Sequence, residues 1–352
     1  MKGVSRRDFL RYSGVVGGGL VLNMDREIAW ANTGSIVAMV KTEDRRHGVR
    51  ASLSALGINP VKGKDVLIKP NFNTADPTPG STHNDTLAIL AEVLWEMGAK
   101  SISLGERSLR PNREVMEQKG VLPLMEKLNV KIIDFDQLDS KDWVLCKPKE
   151  SHWADGFRVA RPILESECLV STCCLKTHRP LGVFTMALKL AVGVVPTTRH
   201  GFNYMRELHG SPNGRKMIAE INQPFKPALI VLDGIDAFVD GGPGKGTLAK
   251  GNAFLASTDR VAIDAVGVAI LKHLGSNENI MKPRIFEQEQ ITRAVELGLG
   301  VASPSQIQLV ATDNNAHEYR SKIEKVLREG EPAAKHTGQV SGRERQEISF
   351  IA

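Results

Sequence analysis

Two lysines and a histidine carry the first chemical suggestion in this chain. Lys176 and His178 stand directly after the apolar run 168–175, and Lys189 follows among Met186, Leu188, Leu190 and Val192. A lysine can hold a carboxylate or phosphate, and an imidazole can move a proton or bind a metal. A lysine on an otherwise apolar face either stretches its ammonium towards water or has a task. Residues 168–175 read as a buried strand, 176–180 as a polar loop, and 183–192 as a helix, so the stretch reads as one βα unit. Ligands of open α/β sheets bind beyond the carboxyl ends of the strands, which is where this reading puts Lys176 and His178.

Other predicted strands end in similar residues. Lys69, Asn71 and Asn73 follow the run Val66-Leu67-Ile68, Glu106 follows 101–104, and Asp233 follows 228–232. In a parallel sheet these ends share one edge, and a basic, amide, acidic and imidazole set there is what a small-molecule site requires. Lys176, His178 and Lys189 are the candidate catalytic groups. Lys69, Asn71, Asn73, Glu106 and Thr185 are candidates for holding substrate. The polar, Gly-rich segment 196–214 reads as a lid that brings in His200 and His209 as second bases or ligands. Asp233 and Asp264 are candidate ligands for a divalent metal, whereas Asp259 reads as the N-cap of a helix from Val261. Segment 240–247 is not a nucleotide P-loop, since Val239 and Gly246 occupy positions that need Gly and Ser or Thr. Its backbone around Gly242 and Gly246 still offers an anion-binding nest.

The elements that must position these groups alternate. Strand signals at 35–41, 66–69, 101–104, 130–133, 168–175, 228–232, 253–256 and 307–311 are separated by helical periods or long loops. That alternation predicts an α/β fold with a mostly parallel sheet, helices on both faces, and one large domain over 32–330. Residues 139–165, with Trp143 and Trp153, read as an excursion or small hairpin, and 331–352 as a polar tail.

Composition narrows the function. The 352 residues carry a formal charge of +6, with no run of five or more like charges and no aromatics interleaved with basic residues, which argues against a nucleic-acid role. The amino terminus, Ser5-Arg6-Arg7-Asp8-Phe9-Leu10-Arg11, matches a twin-arginine export signal with Arg in place of the usual last Lys. A short apolar segment, 12–22, and a small-x-small site at Ala29-Trp30-Ala31 complete it, so residues 1–31 read as a leader. The expected partner is the twin-arginine export machinery, and the expected compartment the periplasm or beyond. That segment is too short to span a bilayer, and no later one is apolar enough. Cys146, Cys168, Cys173 and Cys174 lack the spacing of a zinc or ferredoxin site and read as small buried hydrophobes. A redox role for Cys173 or Cys174 is a further alternative.

Several ordered motifs resemble the DUF362 family of uncharacterised proteins. They are Lys69-Pro70-Asn71-Phe72-Asn73, Leu175-Lys176-Thr177-His178 through Gly182-Val183, Thr185 and Ala187-Leu188-Lys189 to Gly193, then Asp233-Gly234-Ile235, Gly242-Pro243 with Gly246, and Asp259 to Ala265. Some relatives in that family carry ferredoxin-type cysteine clusters, which this chain lacks. The arrangement of His178, Lys189 and Gly193 is also similar, more distantly, to the amino-terminal domain of nickel-dependent lactate racemases. There the lysine carries a nickel cofactor and histidines assist proton or hydride transfer. Here the His-to-Lys offset is eleven rather than ten, and Gly105-Glu106-Arg107 lacks the histidine expected after the corresponding strand. Together these readings imply an exported enzyme acting on a small anionic ligand by acid–base chemistry, with a divalent metal or metal-containing cofactor. The alternative is a non-catalytic periplasmic binding or cofactor-maturation protein.

Overall fold

The computed structural model describes residues 34–329 apart from Pro180 and Asp313, together with the backbone of two short strands, Ser13–Val16 and Gly19–Met24. The twin-arginine motif, Ala29-Trp30-Ala31 and the tail from 331 lie outside the described residues.

One large mixed sheet organises the chain. Its strands are β1 (Ser35–Lys41), β2 (Asp65–Lys69), β3 (Ser101–Glu106), β4 (Lys131–Asp134), β5 (Cys168–His178), β6 (Val183–Thr185), β7 (Leu229–Gly241), β8 (Gly246–Ser257) and β9 (Ile307–Ala311). Their order across the sheet is β9-β1-β8-β7-β5-β2-β3-β4, with β6 paired to β5. The five strands β7-β5-β2-β3-β4 run parallel. Strand β8 is antiparallel to both its neighbours. Their apolar runs explain the arrangement: a strand buried on both faces needs Val, Ile and Leu at every position rather than at alternate ones, as in Ile230-Val231-Leu232, all fully buried.

Helices cover both faces. On one side α1 (Arg45–Ala55) and α2 (Asn84–Glu96) pack over Val66, Ile68, Val231 and Phe254. On the other, α3 (Arg260–His273) packs over Cys173, Leu175, Ile230 and Leu255. Asp259 caps α3 as expected, accepting from the amides of Val261 and Ala262. The cap of α2 is His83, whose side chain accepts from the Asp85 amide. The excursion at 139–165 contains the expected hairpin, Trp143–Pro148 against Phe157–Ala160.

Three sequence expectations are corrected. Strand β5 extends through Lys176 and His178, so these residues are the last strand positions rather than a loop. Residues 183–192 are not one helix. Val183–Thr185 folds back on β5 as β6, opposing Thr185 to Lys176 and Val183 to His178, and only Ala187–Leu190 is α-helical. Two β-branched residues around Phe184 favour strand, and a paired edge outweighs helical periodicity over so short a stretch. Finally, 228–232 and 253–256 are parts of one long antiparallel hairpin, β7–β8, whose tip is the Gly-rich segment. Asp233 is therefore inside a strand rather than at its end.

Gly48 sets how closely α1 approaches the sheet: a Cβ there would lie 2.6 Å from Cγ of the fully buried Phe254. Replacing Gly48 by Ala gains roughly 1 kcal/mol of helix propensity but overpacks this contact, at a cost of about 1–3 kcal/mol. Gly48→Ala is expected to lower the urea midpoint of unfolding. A raised midpoint would show that the helix moves away freely.

Candidate functional site

The chain leaves β2 towards α2 on one face of the sheet and leaves β5 towards β6 on the other. Because β3 and β4 extend the sheet beyond β2 while β5 adds on its opposite side, the connections part between β2 and β5. Such a topological switch point opens a crevice at the strands' carboxyl ends. A cavity of about 70 Å³ lies there, enough for several waters or a molecule of a few heavy atoms. Eight of the residues singled out from sequence line it: Lys69, Asn71, Asn73, Glu106, Lys176, His178, Thr185 and Lys189. Arg107 and Gly193 complete the polar part of the wall, and Pro243 reaches it from the β7–β8 hairpin.

Glu106 and Lys69 fix the geometry. Their side chains are 3% exposed or less and form an ion pair of 2.6 Å across the ends of β2 and β3. Glu106 also accepts from the amides of Phe72 and Arg107, and Lys69 donates to the carbonyl of Pro70. The carboxylate is thus fully occupied in holding the backbone of the β2 exit loop. Gly193 passes so close that a Cβ would sit 2.7 Å from Oε1 of Glu106 and 2.8 Å from Nζ of Lys69, so the residue must be glycine for the pair to form.

The remaining cations have no such partner in the wall. Lys176 is fully buried and donates to the carbonyl of Gly80. Burial pushes its pKa down, against the attraction of Asp76 from behind the lining. Arg107 is buried with its two terminal nitrogens on Ser108, Thr197 and Val192, while Nε has no partner among the described residues. Lys189 is pushed down to about 8, by burial first and then by Lys176 and Arg107. His178 is pushed down to about 2, again mainly by burial and then by Lys189 and Lys176, so its imidazole is neutral. Its Nδ1, Oγ1 of Thr185 and Oδ1 of Asn71 are buried and likewise without hydrogen-bond partners. Unpaired buried polar atoms cost about 1–3 kcal/mol each, and here four of them border one cavity.

Other sequence candidates lie elsewhere. Asp233 and Asp264 do not share a metal site, because they belong to opposite faces of the sheet. Asp233 accepts from Arg45 of α1 at 2.9 Å and from Thr86 of α2 at 2.6 Å. Asp264, in α3, accepts from the amides of Ala187 and Leu188 at 2.7 and 3.0 Å and thereby orients the short helix that carries Lys189. Among the described residues no group of three His, Cys, Asp or Glu side chains could hold a metal ion. His200 is exposed beside a two-residue hairpin, and His209 is exposed with Nδ1 on the carbonyl of Met205, so neither forms part of the cavity wall. Gly242 and Gly246 form the tip of the β7–β8 hairpin instead of an anion nest. Gly242 lies hard against the carbonyl of Thr177, where a Cβ has no room, and Gly246 opposes Gly241. All four cysteines are buried free thiols, and burial raises their pKa values, which disfavours the reactive thiolate form. Arg107 is not among the sequence candidates, although it follows Glu106 directly at a strand end, the same signal that points to its neighbour.

Comparison with known proteins gives three similarities. A family model described as a domain of unknown function, DUF362, matches residues 66–269. A thylakoid-associated protein of Synechocystis sp., sll1697, is 26% identical over 242 residues, covering 68% of this chain and 71% of its own. The lactate racemase apoprotein from Thermoanaerobacterium thermosaccharolyticum aligns in structure with a TM-score of 0.38 and 15% identity, over 59% of this chain. The chain spans about half the length of that racemase, 51%, and a likeness at this level carries no argument about activity.

The cavity has a consequence for stability. A lysine whose folded pKa is about 8 against an ordinary 10.5 destabilises the free protein below pH 8, and the penalty fades as pH rises from about 8 to 10.5. Lys189→Met removes that charge at similar volume. Without added anion, the variant is expected to be more stable than the parent at pH 7, by up to about 3 kcal/mol, and to lose the parent's rise in stability above pH 8. Urea unfolding at pH 7 and pH 10 measures both. A variant less stable at pH 7 would contradict the charge assignment.

Proposed function

This chain belongs to the DUF362 family, and we propose that its cavity is the site of an enzyme acting on a small anionic metabolite. The supporting observation is charge. Lys69 and Glu106 neutralise one another, which leaves Lys176, Lys189 and Arg107 facing one small buried space without a further carboxylate in its wall. Buried charges need a counter-charge, and an anionic ligand supplies it. The same donor set does not fit a divalent cation held by protein ligands: the wall's one carboxylate is occupied and its other charges are positive. Acid–base chemistry falls to His178 and Lys189. A neutral imidazole with a free Nδ1 can accept a hydrogen bond or a proton, and an incoming anion raises its proton affinity by offsetting the two neighbouring ammonium groups. Lys189, near its midpoint at mild alkaline pH, can give or take a proton without a large penalty.

Differential scanning fluorimetry tests the anion part. Phosphate and glycolate at millimolar concentration are expected to raise the melting temperature, while choline and magnesium are not. The anion-induced shift should disappear in Lys176→Met and Lys189→Met, and it should weaken as pH rises through about 8, where Lys189 loses its charge. A shift that survives both substitutions would place the anion elsewhere.

We further propose export by the twin-arginine route, supported by the order Arg6-Arg7, apolar segment, Ala29-Trp30-Ala31 in the sequence. Replacing Arg6 and Arg7 together by Lys is expected to retain the protein in the cytoplasm on fractionation, and undiminished export would refute the assignment.

A further inference from the structure

We propose that Lys189 forms an imine with the carbonyl group of the bound anion, so that the substrates are small 2-oxo or aldehyde carboxylates. This rests on the anion-site reading above and extends it to a substrate class. Of the three lysines in the wall, two are engaged: Lys69 by Glu106 and the carbonyl of Pro70, and Lys176 by the carbonyl of Gly80. Lys189 has no hydrogen-bond or ion-pair partner among the described residues, although it is only 6% exposed.

Its stem is held in place. Gly182 takes the left-handed region, φ +96°, and a Cβ there would lie 2.8 Å from Cε and 2.9 Å from Cδ of Lys189. The stem therefore lies close against the Gly182 backbone. The helix that carries it is anchored by the two amide hydrogen bonds to Asp264. Buried beside two other cations, Lys176 and Arg107, the amine carries its proton weakly. A desolvated lysine next to another cation is the arrangement that activates an amine towards carbonyl carbon.

The step balances without an oxidant or reductant. The Nζ lone pair forms the bond to the carbonyl carbon, the carbon–oxygen bond breaks, and the oxygen leaves as water with both protons of the amine. Thr185 Oγ1 and His178 Nδ1, buried and unpartnered on the same wall, are the groups available to hydrogen-bond the departing oxygen. Lys176 and the free Nε of Arg107 remain for the carboxylate. A cavity of about 70 Å³ favours the smallest members of the class.

Trapping tests the proposal on the full chain. The protein is treated with glyoxylate and sodium cyanoborohydride at neutral pH, and modified lysines are located by peptide mass mapping. One reduced adduct per chain is expected, at Lys189, suppressed by excess glycolate, which has the carboxylate without the carbonyl. Lys189→Arg should lose the adduct. Since that variant can fail to fold, the mapped position in the unaltered chain decides. Adducts confined to exposed lysines, or found at Lys69 or Lys176 in place of Lys189, overturn the proposal. Melting shifts separate it from the reading beneath it. Stabilisation by both glyoxylate and glycolate without an adduct at Lys189 overturns imine formation and leaves the anion site standing. Neither stabilisation nor adduct overturns both.

Discussion

Burying charge without a counter-charge costs several kcal/mol per ion, and the wall of this cavity holds more cations than its carboxylate can neutralise. That imbalance is the constraint on which the rest of the site depends. The fold does not relieve it with Asp233 or Asp264, which are spent on tying α1 and α2 to β7 and on orienting the helix of Lys189. Asp76 and Asp136 act on Lys176 and Arg107 only from behind the lining. A protein that keeps such a place and fills the remaining core with well-packed apolar side chains has set aside stability for a ligand of opposite charge.

The Lys69–Glu106 pair is what makes the arrangement rigid. It joins the ends of two adjacent parallel strands, fixes the first residues of the β2 exit loop, and excludes any side chain at Gly193. Opposite it, β6 folds back along β5 and sets Thr185 beside Lys176 and Val183 beside His178. The hairpin tip then closes the crevice with Pro243, and Gly242 against the carbonyl of Thr177 fixes how near that tip can come. Each wall of the cavity is thus a strand or is tied to one, and groups on rigid elements are placed more accurately than groups on loops.

Much of this was legible in the residues. The rule that polar residues after buried runs gather at one sheet edge accounts for six of the side chains in the cavity wall, Lys69, Asn71, Asn73, Glu106, Lys176 and His178. It worked because β2, β3 and β5 are parallel neighbours, so an error of two or three residues in where each strand ends still leaves its polar residues at the same sheet edge. It failed for Asp233 because Val231-Leu232 continues, through a register jump over Gly234 to Asp236, into a strand running to Gly241; a bulge looks like a strand end in sequence. The helix expected over 183–192 failed because its apolar spacing fits a short strand followed by a tight turn equally well. His200 and His209 lie on a polar segment, and nothing in a single sequence says which way such a segment folds.

The account is tested most directly by asking what occupies the crevice between β2 and β5. Crystals grown with bromide or selenate, measured at an energy where these anions scatter anomalously, would locate bound anion without assumption. The account predicts an anomalous peak within hydrogen-bonding distance of Lys176 or Lys189, bordered by Thr185 and His178, that is absent in Lys189→Met crystals. Peaks confined to the protein surface, with the cavity filled by water or by a cation, would contradict it.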